Sequence, residues 1–246
     1  MGIMKVTDTE RNVSNIVYMY TGLSEALSGS SRNFSTYKEG SRSVLEIDAS
    51  SEYSDIIRCE IEDKIADIVA VNYKYSFFLP RIRPYGLTET ENGVLLSALI
   101  SADIDEDKRF IKRKISSDLE YSVDGLFNFR LGKLRSKWED VIAYVPKTFD
   151  AEKLKDFIAF IMDEKAGVRV FAENGKVYDR HFRRMSRTLL TGREYGEDKL
   201  LNEILLSGAG EAELLSPVSG EEEELLKEYL GSKIIFGKNY FSDTNV

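Results

Sequence analysis

Between Asp107 and Lys147, apolar residues recur at Ile111, Ile115, Leu119, Val123, Phe127, Leu131, Leu134, Trp138, Val141 and Val145. Steps of three and four are the period of an amphipathic helix. The stretch is too long for one uninterrupted helix, and Ser122-Val123-Asp124-Gly125 carries a break signal. The pattern therefore predicts two helices. Asp124 is the expected cap of the second, Gly125 the point where the chain turns, and Phe127, Leu131 and Leu134 the core anchors.

The same period predicts a long helix over Ser54–Leu79. Ile57, Ile61, Ile65, Ile68/Val69, Asn72 and Tyr75 share one face, and Pro80 and Pro84 end it. Gly93–Ile100 reads as an apolar helical segment. Ala151–Glu164 reads as another, with Leu154, Phe157, Ile158 and Ile161 inward, Asp150 as N-cap and Gly167 as the stop. Short β-branched or aromatic runs predict strands at Asn15–Tyr20, Val44–Ile47, Val168–Ala172, Glu213–Leu215 and Lys233–Phe236. Leu23–Leu27 reads as a short helix, Ser28–Thr36 as a loop and Asp48–Ser51 as a turn. Asn174-Gly175 is a tight hairpin signal leading to a return strand from Val177. Glu197–Leu206 is helical, and Ser219 with Glu222 has capping-box spacing before a helix that Gly231 stops.

The outline is an α+β chain. A small β-α-β segment covers 1–53, a predominantly helical centre 54–166 and a mixed β/α segment 167–240, with a tail at 241–246. There is no internal repeat at a solenoid period.

Composition changes this picture little. Of 246 residues, 42% are hydrophobic and 31% charged, enough for a sizeable core. One cysteine, Cys59, precludes an internal disulfide and suits a reducing compartment. The N-terminus has no apolar run of signal-peptide length, and no window is apolar enough to cross a bilayer. A cytoplasmic location is the expectation.

Charge is more telling. The net charge is −8, yet Lys108–Lys137 holds nine Lys or Arg against three acids, and Arg180–Arg193 holds five Arg and no acid. Lys112, Arg113, Lys114, Arg130, Arg135, Arg183, Arg184 and Arg187 are the candidate anion- or partner-binding residues. Such clusters attract phosphate, or they pair with the acidic remainder and only solvate the surface.

Catalytic motifs are missing. His181 is the only histidine and sits in Arg180-His181-Phe182-Arg183-Arg184, with no Gly-x-Ser-x-Gly elbow in the chain. Gly208-Ala209-Gly210 follows a helix and reads as a stop and a turn, not as a nucleotide fingerprint. Asp103-Ile104-Asp105-Glu106-Asp107 is a possible acid–base cluster, better explained as the charged start of the next helix. The sequence calls for no cofactor and no metal, and it leans away from an enzyme.

Val123-Asp124-Gly125-Leu126-Phe127-Asn128-Phe129-Arg130-Leu131 resembles the Asp-Gly-Phe-x-x-Phe-Arg-Leu core of the YtxC-like family of sporulation proteins from spore-forming Firmicutes. Ile65-Ala66-Asp67 with Asn72-Tyr73, the apolar helix at Phe157–Glu164, and the closing order from Asp198–Leu206 through Glu213–Leu215 to Lys233–Phe236 follow the same layout. The resemblance runs from about Ile57 to the end. It departs at the C-terminus, where Asn239-Tyr240-Phe241 stands in place of two closely spaced cysteines, and Gly208-Ala209-Gly210 is more polar than the usual segment. It implies a sporulation context and no mechanism. The resulting expectation is a non-enzymatic protein acting through protein partners. The alternative is a phosphate-binding module for nucleic acid or an anionic membrane.

Overall fold

The computed structural model describes residues 2–26, 34–49, 54–116 and 119–237. Its class is α+β, with two mixed sheets and a helical centre. The chain divides into two compact units, each discontinuous in sequence. The first is Met1–Lys74 with Asp105–Val141, and the second Tyr75–Ile104 with Ile142–Val246.

In the first unit, β1 (Gly2–Thr9), β2 (Phe34–Glu39), β3 (Arg42–Ala49) and β4 (Glu120–Ser122) form a sheet in the order β2-β3-β1-β4. β2–β3 and β3–β1 are antiparallel, and β1–β4 is parallel. Met4, Val6, Leu45 and Ile47 are buried, α1 (Val13–Ala26) packs on β1 and β3, and α2 (Ser54–Ile68) packs on α1. Antiparallel register puts Met4 opposite Ile47 and Val6 opposite Leu45, so their side chains share one face.

Three expectations change here. The strand expected at Asn15–Tyr20 is part of α1, because Ile16, Met19 and Leu23 bury at helical spacing. Burial over a whole turn outweighs the local β propensity of Ile-Val-Tyr. β1 is absent from the sequence outline, and its buried positions alternate as Met4, Val6 and the charged Asp8, which is fully buried. The last residues of the loop expected at Ser28–Thr36 already belong to β2, while positions 28–33, Leu27, the Ser50-Ser51 turn and the 241–246 tail lie outside the described residues.

The long helix over 54–79 is present in three joined parts. α2 passes through a π-helical turn at Val69–Tyr73 into α3 (Lys74–Phe78), and the chain leaves the helix before Pro80. The apolar segment at Gly93–Ile100 lies within α4 (Glu89–Lys112), which has non-helical torsions at Asp103. Those torsions mark a kink where two helices meet, so the acids at 103–107 stand at the start of the second, as the sequence reading has them. Asp107 is fully buried, since it receives Lys74 Nζ at 2.8 Å, Trp138 Nε1 at 2.9 Å and Lys137 Nζ at 3.0 Å.

After α4 the expected break is real and longer than a turn. It holds β4, and α5 (Val123–Arg130) and α6 (Gly132–Tyr144) follow it. Leu131, Leu134 and Trp138 are buried and Phe127 is half-buried, whereas Leu119, within the same periodic pattern, is exposed because the helix has ended before it.

In the second unit, α7 (Ala151–Glu164) starts as read, with the Asp150 carboxylate accepting the Lys153 N–H at 2.9 Å. β5 (Arg169–Glu173), β6 (Lys176–Tyr178), β7 (Arg184–Met185), β8 (Glu211–Leu214) and β9 (Ile234–Phe236) form the second sheet, in the order β7-β6-β5-β8-β9. Asn174 and Gly175 adopt φ of 50° and 68°, the left-handed torsions of the predicted tight hairpin. α8 (Thr188–Thr191), α9 (Lys199–Ser207), α10 (Gly220–Leu230) and the part of α4 up to Ile104 belong to the same unit. Ser219 and Glu222 form the capping box, and Gly208 ends α9 with φ of 74°. No helix of the described residues is long and apolar enough to cross a membrane.

Candidate functional site

The motif at Asp124–Arg130 opens a helix, and its cap is Ser122 instead of Asp124. Ser122 Oγ accepts the Gly125 N–H at 3.2 Å. Asp124 has another partner. Its two oxygens take the Arg42 guanidinium at 3.2 and 3.0 Å, a forked pair, and Arg42 also donates to Ser122 Oγ and Thr7 Oγ1 at 3.1 Å. Gly125 is needed for room, not for a turn. A Cβ there would lie 2.7 Å from Ser122 Oγ and displace the cap.

α5 presents two faces. On one, the Phe127 ring lies 4.6 Å from Tyr73 and stacks at 5.9 Å on Trp138, with the Arg135 guanidinium 5.4 Å from its centre. On the other, Leu126, Phe129 and Arg130, at spacings of three and four, line a cleft of about 360 Å³. Ile65 and Ile115 add apolar wall, and Ser116, Glu120, Tyr121 and Ser122 add polar groups. Phe129 is 88% exposed, so a large apolar ring stands open to solvent at the cleft. The volume falls in the range of sites that hold a small ligand or a few side chains.

The eight basic candidates separate. Arg130 lines the cleft and donates to the Lys114 carbonyl at 3.5 Å, which brings the two first-unit clusters together. Lys114 lies over the Phe110 ring at 5.7 Å, and the exposed Arg113 donates to the Arg109 carbonyl. Lys112 pairs with Asp63. Arg135 is spent on Phe127 and on the Asn128 carbonyl. The second-unit group splits further. Arg183 pairs with Asp179 at 2.9 Å and Arg184 is exposed on β7. Arg187 is buried, with its guanidinium on the Leu206 carbonyl and its backbone N–H on Glu203, so it belongs to no surface patch. His181 is exposed and accepts a hydrogen bond from Arg180 Nε.

A buried polar cluster had no signature in the sequence. Asp8 accepts from Asn15 and Tyr73 OH at 2.7 Å, from the Thr9 N–H at 2.7 Å and from Asn12 at 3.2 Å. Burial pushes its carboxyl above the usual range, against those four donors. Burial and the Asp8 charge raise the Tyr73 phenol in turn. The cluster ties the end of β1 to α1 and to the π-helical turn, and its donors are matched to one acceptor. Its role is architectural.

No family model matches the chain, and neither a curated protein nor a solved structure matches it.

Proposed function

We propose that the protein acts by binding, holding an acidic segment of a protein partner in the cleft beside α5. One observation carries this reading. An apolar floor with an exposed aromatic ring, Phe129, is bordered by Arg130 and by the basic end of α4. Aromatic and arginine side chains are the residue types that dominate binding energy at protein interfaces. A partner segment with an apolar side chain for the cleft and carboxylates for Arg130 and Lys114 matches that arrangement. The resemblance of Asp124–Leu131 to the YtxC-like core supports a sporulation role in the cytoplasm of a spore-forming bacterium. That motif supplies Leu126, Phe129 and Arg130 of the cleft.

The test is fluorescence anisotropy with two labelled peptides that share one Leu/Phe pattern, one with Asp and Glu between the apolar residues and one with Lys. The acidic peptide should bind and the basic one should not. Arg130→Ala and Leu126→Glu should each weaken binding about tenfold or more. Equal affinity for both peptides, or binding unmoved by both variants, would sink the proposal. Binding of anionic vesicles or single-stranded nucleic acid at this cleft, without the peptide, would replace it with the phosphate-binding reading.

A further inference from the structure

The turn between β6 and β7, at Asp179–Arg183, is built around a strained residue. Phe182 has φ of 55°, a left-handed torsion that a bulky side chain adopts only when its surroundings force it. Asp179 supplies the force. One carboxylate oxygen accepts the N–H groups of His181 at 2.8 Å and Arg183 at 2.9 Å, and the other accepts Arg183 Nε at 2.9 Å. Backbone bonds from Asp179 N to the Arg183 carbonyl and from Phe182 N to the Asp179 carbonyl close the turn.

The result is a placed ring. Phe182 lies parallel to Phe171 of β5, with centroids 5.1 Å apart and planes 9° apart, and remains 63% exposed. One face of the ring is covered and the other is open. Register puts Phe171, Tyr178 and Arg184 side by side on the same sheet face. The opposite face buries Val170, Ala172 and Val177. Arg180 and His181 precede Phe182 in the turn and Arg184 follows it on β7, and all three side chains are exposed. Glu213, beside Phe171 on β8, is balanced by Arg169 at 3.3 Å.

We infer that this turn is a stacking platform for a nucleobase carrying a phosphate, presented as a free nucleotide or as a unit of single-stranded nucleic acid. A flat open ring selects a planar partner, and the exposed arginines of the same turn and of β7 select an anion. A nucleotide is both at once. An aromatic side chain of a protein carries no anion for the arginines to pair with. This site lies in the second unit and does not depend on the cleft or on what the cleft binds.

The test uses the full chain, a labelled twelve-nucleotide oligothymidylate and thymidine monophosphate as competitor, followed by anisotropy. Phe182→Asn removes the ring while keeping a residue that tolerates positive φ, and Phe182→Gly does so with no strain at all. Both should fold as the parent does and weaken binding about tenfold. Arg180→Gln and Arg184→Gln should each lower the slope of log affinity against log salt by about 0.7. If the monophosphate displaces the strand, the site takes a single nucleotide; if it does not, the site needs the strand. The inference fails if neither ligand binds at about 1 mM, or if both Phe182 variants bind as the parent does.

Discussion

The cleft beside α5 and the turn after β6 present the same residue types, a phenylalanine next to arginine, in opposite shapes. In the cleft, Phe129 borders a hollow with Leu126, Ile65 and Ile115 in its walls, and Arg130 stands at the same site. At the turn, Phe182 lies flat on Phe171, with the ring planes 9° apart and the Phe182 side chain exposed. Composition makes the two regions equivalent, and curvature separates them. A hollow gains energy from a side chain that fills it, in proportion to the apolar area removed from water. A flat ring gains energy from another flat ring. Two basic, aromatic stretches in one chain therefore do not imply one extended surface for one ligand.

The two regions should also fail separately. The largest effect is expected at Asp107, on which the seat of α5 depends. Asp107 holds Trp138, Trp138 stacks on Phe127, and Lys74 and Asp107 are both fully buried. Asp107→Ala leaves the Lys74 ammonium without its buried partner and should cost about 3–5 kcal/mol in urea unfolding. The fluorescence of Trp138, the only tryptophan, reports on the site. Peptide binding in the cleft should drop with it. If oligonucleotide binding at the turn drops equally under native conditions, the two regions are not independent and the comparison breaks.

Phe127→Ala acts on the same seat more gently. The ring is half-buried, so a loss of about 2 kcal/mol is expected, below the range for fully buried phenylalanine. An unchanged urea midpoint would mean that the Tyr73–Phe127–Trp138 stack does not hold α5 in place.

The smallest effect is a pH dependence confined to the turn. Burial alone would raise the Asp179 carboxyl, but the N–H groups of Arg183 and His181 and the Arg183 guanidinium outweigh it, and the group lies below the ordinary carboxylate range. A depressed folded value means that stabilisation is present above the unfolded value, about 3.9, and is lost as pH falls through the folded one. Oligonucleotide binding should owe nothing to this group between pH 7 and 5 and should weaken below about pH 4 as the turn loosens. The group is partly exposed, so the change in global stability should stay under about 1 kcal/mol. Loss of binding centred near pH 6 would point to a different titrating group.

Legibility followed range. Asp150 as cap, Asn174-Gly175 as hairpin and Ser219 with Glu222 as capping box were all readable, because each is satisfied within three or four residues. The buried faces of α2 and α7 were readable from periodicity. Elsewhere the local signal misled. Ile16, Val17 and Tyr18 favour a strand in isolation and form a helix in the protein, because Ile16, Met19 and Leu23 have a sheet to cover. Asp124 looked like a cap and is the partner of Arg42, 82 residues away. Of the cleft, Arg130 was readable as a candidate, but Phe129, Ile115 and Ser116 gave no sign of converging on it.

The sequence by itself determined the α+β class, the places where helices begin and end on capping chemistry, and the presence of two basic clusters. These depend on residue type and on spacing within a turn or two of the chain. Tertiary structure alone decided which charges are available and what shape they border. It buried Arg187 on Leu206, committed Arg135 to Phe127, paired Lys74 with Asp107, hollowed the surface at Phe129 and flattened Phe182 onto Phe171. A charge is free or spent according to groups brought to within a few ångströms of it. That proximity is set by the packing of elements far apart in the chain.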